Sequence, residues 1–293
     1  MRLLTVTGLS LVALSNVPAL VLAQDHPVLV QTQNDAQDDP ILAQTQDDID
    51  TLFRQGIEAQ ADKDYAQAEA IWQQLLSLDP GNAWAYQFLG SALYDQGRYG
   101  EAETAYRNAI QFAPNDALTH IKLGFSLYYQ DRYREAEAAH REAIQLAPDN
   151  ALAYISLGLA LSAQDRHEET VIAYQDAIRL EPDNPQAYRS LGQALRNQGR
   201  DGEAATAYRE AIQLTPNDAL THISLGQVLS KQGLYDEAQT AYQEAIYLEP
   251  DNILAHLGLG HALYDQKQYA EAEKAYRDAL TIDPNHQWGY AFL

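Results

Sequence analysis

The residues able to do chemistry are plentiful in this chain but poorly arranged for it. Histidines recur at His120, His222 and His256, each in a separate segment, and His256 and His261 stand at i, i+5 on one predicted helix. Two ligands on one helix face need i, i+4 spacing, so no metal site is expected. Asp and Glu are abundant, yet they fall on predicted outward faces and caps, where charge is solvated. No nucleophile elbow, glycine-rich phosphate loop or triad order is present. There is no cysteine, which excludes disulfides, thiolate metal sites, thiol nucleophiles and a bacterial lipid anchor. These residues read as a chain that is not an enzyme and carries no metal or cofactor.

Charge narrows the partners. Across 293 residues there are 19 basic against 41 acidic side chains, a formal net charge of -22. Nucleic-acid phosphates need a Lys/Arg footprint, so no nucleic acid is expected. Anionic membrane surfaces are disfavoured for the same reason. The acidity itself reads as solubility.

The elements that would position any site follow a fixed period. Prolines recur at Pro80, Pro114, Pro148, Pro182, Pro216, Pro250 and Pro284, each 34 residues after the last. Glycines recur in the same phase at Gly56, Gly90, Gly124, Gly158, Gly192, Gly226 and Gly260. A period of this length marks a solenoid. With the proline at position 32, units span 49–82, 83–116, 117–150, 151–184, 185–218, 219–252 and 253–286, and residues 287–293 begin another. In the second unit Tyr86, Leu89, Gly90 and Leu93 line one helix face, as do Ala102, Ala105, Tyr106 and Ala109 on a second. Gly97 stops the first helix, Pro114 ends the second, and Asn115-Asp116 caps the next. Each hairpin must stack to hide its apolar side. The glycine at position 8, with small partners such as Ala102 and Ala109, reads as close helix approach. A ring at position 24 (Trp72, Tyr106, Tyr174, Tyr208, Tyr242, Tyr276, with His140 in the third unit) fills the space beside it. Matching strings 102 residues apart, such as Ala117-Leu-Thr-His-Ile and Ala219-Leu-Thr-His-Ile, suggest duplication of a three-hairpin block.

Leu89-Gly90, Leu93, Ala102, Tyr106, Ala109 and Pro114 resemble the tetratricopeptide repeat, and the match runs through seven consecutive units from Ile49 to His286. The resemblance implies an all-α fold: a right-handed superhelical solenoid of seven 34-residue helix-turn-helix repeats plus an incomplete eighth. His167, Thr170 and Gln55 depart from the pattern, which implies a looser fourth hairpin and a worn first one. The resemblance also implies a concave groove lined by positions 2, 5, 9, 12 and 13 of the first helices. Carried over, these are Trp84, Gln87 and Tyr94, then Ile121, Phe125, Tyr128 and Tyr129, then Ile155 and Leu159. Arg189 and Arg196 (with Gln186, Gln193 and Asn197), Lys231 (with Gln227) and Tyr264 complete the set. An aromatic and aliphatic half would meet a more polar half, suited to an extended or helical peptide with apolar anchors and a nearby acidic group. The Lys and Asn pattern of carboxylate-clamp members is absent.

The ends carry further expectations. Residues 1–23 read as a signal peptide, with Arg2, an apolar run and Val21-Leu22-Ala23 before the cut. An uncleaved membrane anchor is the competing reading, weakened by Gly8, Asn16 and Pro18. Either way the body is exported, to a periplasm, a lumen or the outside. Residues 24–48, rich in Gln and Asp, read as a disordered tether. The expected function is a protein or peptide scaffold. Two alternatives are the docking arm of an enzyme completed elsewhere and a homo-oligomer joined through Trp288–Leu293.

Overall fold

The structure, a computed structural model, describes residues 40–284, with side chains from residue 45. The expected signal segment, most of the expected tether and the Trp288–Leu293 stub lie outside these residues. Fourteen helices and no strand are found among the described residues. They divide at Pro114 into two compact blocks.

The first block holds α1 (Pro40–Ala61), α2 (Tyr65–Leu78), α3 (Ala83–Asp95) and α4 (Tyr99–Phe112). The second holds α5 (Ala117–Tyr128), α6 (Tyr133–Leu146), α7 (Ala151–Ser162), α8 (His167–Leu180) and α9 (Pro185–Asn197). It continues with α10 (Asp201–Leu214), α11 (Ala219–Lys231), α12 (Tyr235–Leu248), α13 (Ile253–Asp265) and α14 (Tyr269–Ile282). Odd-numbered helices are the first of each hairpin and even-numbered ones the second. Each packs on its hairpin partner, and within a block each second helix packs on the next first helix. In the second block the first helices also touch one another in sequence, α5 to α7, α7 to α9, α9 to α11 and α11 to α13. This is an all-α helical-repeat solenoid. One boundary differs from expectation: α1 starts at Pro40, so residues 40–48 are helical where a disordered tether is expected. Proline is compatible with a first helical turn, whose N–H groups have no intrahelical acceptor.

Local chemistry explains the hairpins. First helices after α1 begin on a side-chain cap. Asn82 accepts from the Ala85 N–H at 3.0 Å, Asn184 from Ala187 at 3.2 Å and Asp218 from Leu220 at 3.2 Å, each satisfying an otherwise orphaned donor. His222 and His256, one turn in, donate from Nε2 to the carbonyls of Pro216 (2.9 Å) and Pro250 (2.8 Å). These histidines thus tie each first helix to the proline turn before it. The turn within each hairpin needs one left-handed residue, supplied by Gly97, Gly199 and Gly233 and elsewhere by Lys63, Asp131, Asp165 and Lys267. At position 8 the helices meet. A Cβ on Gly90 would lie 2.6 Å from Cε1 of Tyr106, and one on Gly192 2.7 Å from Cε1 of Tyr208, closer than packed carbon atoms allow. The ring occupies the place of the missing side chain.

The departures in the fourth unit are accommodated rather than disruptive. Thr170, where other units have Ala, is buried and donates its hydroxyl to the Arg166 carbonyl at 2.9 Å. Ile172 is 57% exposed and borders a cleft of about 400 Å³ with Ile144, Leu157 and Leu161.

Candidate functional site

The side chains expected to line a groove sort into three environments. Ile121 (0% exposed), Phe125, Ile155 and Leu159 are buried, as is Gln87. Phe125 packs edge-on against the His140 ring, with centroids 5.4 Å apart. These positions are core. An apolar side chain at position 5 or 9 is consumed by neighbouring helices and offers no surface to a ligand, so the expected aliphatic half of the groove is not an open surface. Trp84, Tyr94, Tyr128, Arg189 and Arg196 are half-buried. Tyr129, Lys231 and Tyr264 are exposed, the two tyrosines at 41% and 44%.

In the first block, the Trp84 ring stacks at 6.5 Å on Phe88, which in turn stacks at 5.0 Å on the buried Trp72. Tyr94 meets Tyr99 edge-on at 5.2 Å. In the second block, Tyr128 contacts Tyr129 at 5.6 Å and Tyr133 at 5.2 Å. Burial, then the neighbouring Tyr129 and Asp131, raise the Tyr128 hydroxyl above its ordinary range. Tyr133 donates to Asp131 at 2.5 Å, and that bond, with burial, pushes its hydroxyl up to about 12. At the far end Tyr264 meets Tyr269 edge-on at 5.3 Å. Next to it the Tyr276 hydroxyl lies 2.9 Å from Nδ1 of His261.

The polar part is concentrated on α9 and α11. Arg189 pairs with Asp218 at 3.0 Å, and Lys231 pairs with Asp201 at 2.8 Å. Arg196 differs. Its Nη2 donates to Oε1 of Gln193 at 2.8 Å, and its Nη1 donates across to Oε1 of Gln227 on the next first helix. Gln193 also donates to Asn197 at 2.7 Å. Both residues that hold Arg196 are thus neutral amides. Its charge reaches Tyr208 of α10 and Tyr242 of α12. Burial raises both hydroxyls, and the Arg196 charge acts against that rise in each. The sequence signal was available: position 12 is Gln60, Tyr94, Tyr128, Ser162, Arg196, Ser230 and Tyr264, so arginine occurs there once.

Comparisons with known proteins give the family. The model for the cilia and flagella-associated protein 70 C-terminal domain, built on tetratricopeptide repeats, matches residues 19–251, and a tetratricopeptide-repeat model matches residues 223–286. The chain belongs to the tetratricopeptide-repeat family. No curated protein sequence matches it. Among solved structures, PilF of Pseudomonas aeruginosa is similar in fold, at 19% identity over 72% of this chain and 96% of its own, with a TM-score of 0.62. YrrB, described as a TPR protein with an unusual peptide-binding site, is 22% identical over 64% of this chain and 96% of its own, with a TM-score of 0.56. MamA is 26% identical over 56% of this chain and 96% of its own, with a TM-score of 0.52. Within the tetratricopeptide register, then, positions 5 and 9 of this chain build core where they are apolar. Its accessible first-helix chemistry lies at positions 12 and 13, at the amides of α9 and α11, and at Leu220 and Leu254 in position 2.

Proposed function

We propose that this tetratricopeptide-repeat protein is an exported, non-catalytic scaffold that binds a protein or peptide on the first helices of its second block. The observation carrying this reading is the composition of that face. Its apolar residues at positions 5 and 9 are spent in the core, and what remains accessible includes Tyr129, Gln186, Gln193, Arg196, Gln227 and Tyr264, with Leu220 and Leu254 at position 2. Tyrosine and arginine supply large contact area and directed hydrogen bonds, and they are enriched where proteins meet. Within this set, Arg196 bridges α9 to α11. The description of YrrB as a peptide binder supports the same use of a similar fold. Export rests on Arg2 and the apolar run to Ala23.

The test is positional. A photo-crosslinking amino acid would be placed at Tyr129 or Asn197 on the first helices, and at Ile172 or Tyr247 on the second helices, in the protein expressed in its own cells. The expected result is a crosslinked partner from Tyr129 and Asn197 and none from the other pair. Crosslinks from Ile172 and Tyr247 alone would overturn the reading, and retention of the whole chain in the cytoplasm would overturn export.

A further inference from the structure

The charges of the α9–α11 face do not cancel. Arg189 is answered by Asp218 and Lys231 by Asp201, whereas Arg196 makes no ion pair among the described residues. Two other arginines without an ion pair among the described residues, Arg54 and Arg134, are exposed, whereas Arg196 is half-buried. The group is also held rather than loose. Gln193 fixes one Nη from the same helix and Gln227 fixes the other from the next, each accepting a single N–H. Five donors are available to a guanidinium, so one N–H on each terminal nitrogen and the Nε–H remain unspent. A second observation points to the same place. The Tyr208 side chain is 1% exposed, and its buried hydroxyl makes no well-formed hydrogen bond, only a loose approach to Ser224. It lies close enough to feel the charges of both Arg196 and Arg189. A cation with idle donors, near a poorly satisfied hydroxyl and propped by neutral amides, is organised in advance for an anion.

We infer that Arg196, held by Gln193 and Gln227, is the anchor for a carboxylate of the bound peptide, either an acidic side chain or the free C-terminus. The inference rests on the first-helix face being the binding face. A carboxylate fits because the planar fork matches its geometry, and because a single uncompensated positive charge matches a single negative one. The flanking Asp218 and Asp201 would repel a more highly charged group. The grip is not the Lys and Asn arrangement of carboxylate-clamp members, since the props here are glutamines.

The experiment is a selection of random linear displayed peptides on the purified whole chain. Enriched peptides would be resynthesised with a fluorophore and titrated against the parent, Arg196→Gln and Arg196→Lys, with helicity checked by circular dichroism. Enriched peptides should carry an Asp, a Glu or an essential free C-terminus. Their affinity should fall about 10- to 100-fold in Arg196→Gln, the range for one charged hydrogen-bonded contact. Arg196→Lys should lose less, keeping charge without the fork. Amidating the C-terminus, or replacing the acid by its amide, identifies the source, and the modified peptide should lose nothing further against Arg196→Gln. Peptides that crosslink to Asn197 yet bind Arg196→Gln as tightly as the parent would overturn the anchor and leave the binding face standing. If no peptide is enriched, or the enriched ones crosslink only to Ile172 and Tyr247, both readings fall.

Discussion

A single substitution separates the third hairpin from the others. Position 24 carries a tyrosine in five units, and two of these hydroxyls meet a side-chain partner, Tyr106 with Ser91 at 3.2 Å and Tyr276 with His261 at 2.9 Å. His140 takes that place against Gly124, fully buried, with neither ring nitrogen hydrogen-bonded. Burial alone drives its pKa from 6.5 down to about 3. The folded protein therefore keeps His140 neutral over a range where the unfolded chain takes up a proton. Stability is full above pH 6.5 and is lost as pH falls from there toward 3, amounting to about 2 kcal/mol at pH 5. We expect His140→Tyr to restore the arrangement of the neighbouring units, raise stability at neutral pH and flatten the decline between pH 6.5 and 4.5. Urea unfolding across that range measures it. An unchanged decline would place the acid sensitivity elsewhere.

Between elements, the stacking is held by a repeated reach. Gln164, at position 14 of its unit, donates to the Tyr133 carbonyl at 3.4 Å and to Glu137 at 3.0 Å. Gln96 does the same to Tyr65 and Glu69 in the first block, and Gln198 and Gln232 reach the carbonyls of His167 and Asp201. A glutamine in the hairpin turn thus closes over the start of the preceding second helix, where a surface loop would otherwise leave polar groups to water. At α6 the contact is reinforced, because Glu137 also accepts from Arg166 at 2.6 Å and from Arg141 at 3.0 Å. Burial pushes the Glu137 carboxyl up, but the bonds from Gln164, Arg166 and Arg141 outweigh it and hold it below the usual range. That stability is present above the ordinary value of 4.5 and disappears as pH falls through the folded value, a window that opens lower than that of His140 and overlaps its acid end. Glu137→Gln should cost about 1–3 kcal/mol at neutral pH by leaving Arg166 and Arg141 short of an acceptor. Denaturant titration reads this directly, and an unmoved midpoint would show that apolar contact alone carries the α6–α7 junction.

At the scale of the whole molecule, most of the architecture was legible because its determinants are local and repeat. Caps such as Asn82, turn residues such as Gly97 and stops such as Pro114 each act within a few residues of where they stand. The start of α1 at Pro40 was not legible, since it precedes the 34-residue register and its Gln/Asp composition resembles a tether. The proposed binding face was half legible. Register places Ile121 and Arg196 alike on the first helices, but only the side chain's own chemistry says which is drawn into the core, and an isoleucine should have been assigned there. Charge is a property of the whole chain, and it sets the last prediction. Exposed ion pairs such as Arg179–Asp176 or Arg277–Glu273 contribute about 0–1 kcal/mol each. Against them stands the mutual repulsion of a net charge of -22, which a folded chain suffers more than an expanded one. Added NaCl screens both, with a Debye length of about 10 Å at 0.1 M, and at a net charge of -22 we expect the repulsion to be the larger of the two. The melting temperature should therefore rise as salt is raised from low ionic strength to about 0.1 M and then level off as screening saturates. Binding through Arg196 should weaken over the same range, because there salt screens an attraction. A melting temperature that fell with salt would mean that the ion pairs, led by the partly buried Glu137 and Glu69 contacts, hold the stack against its own charge.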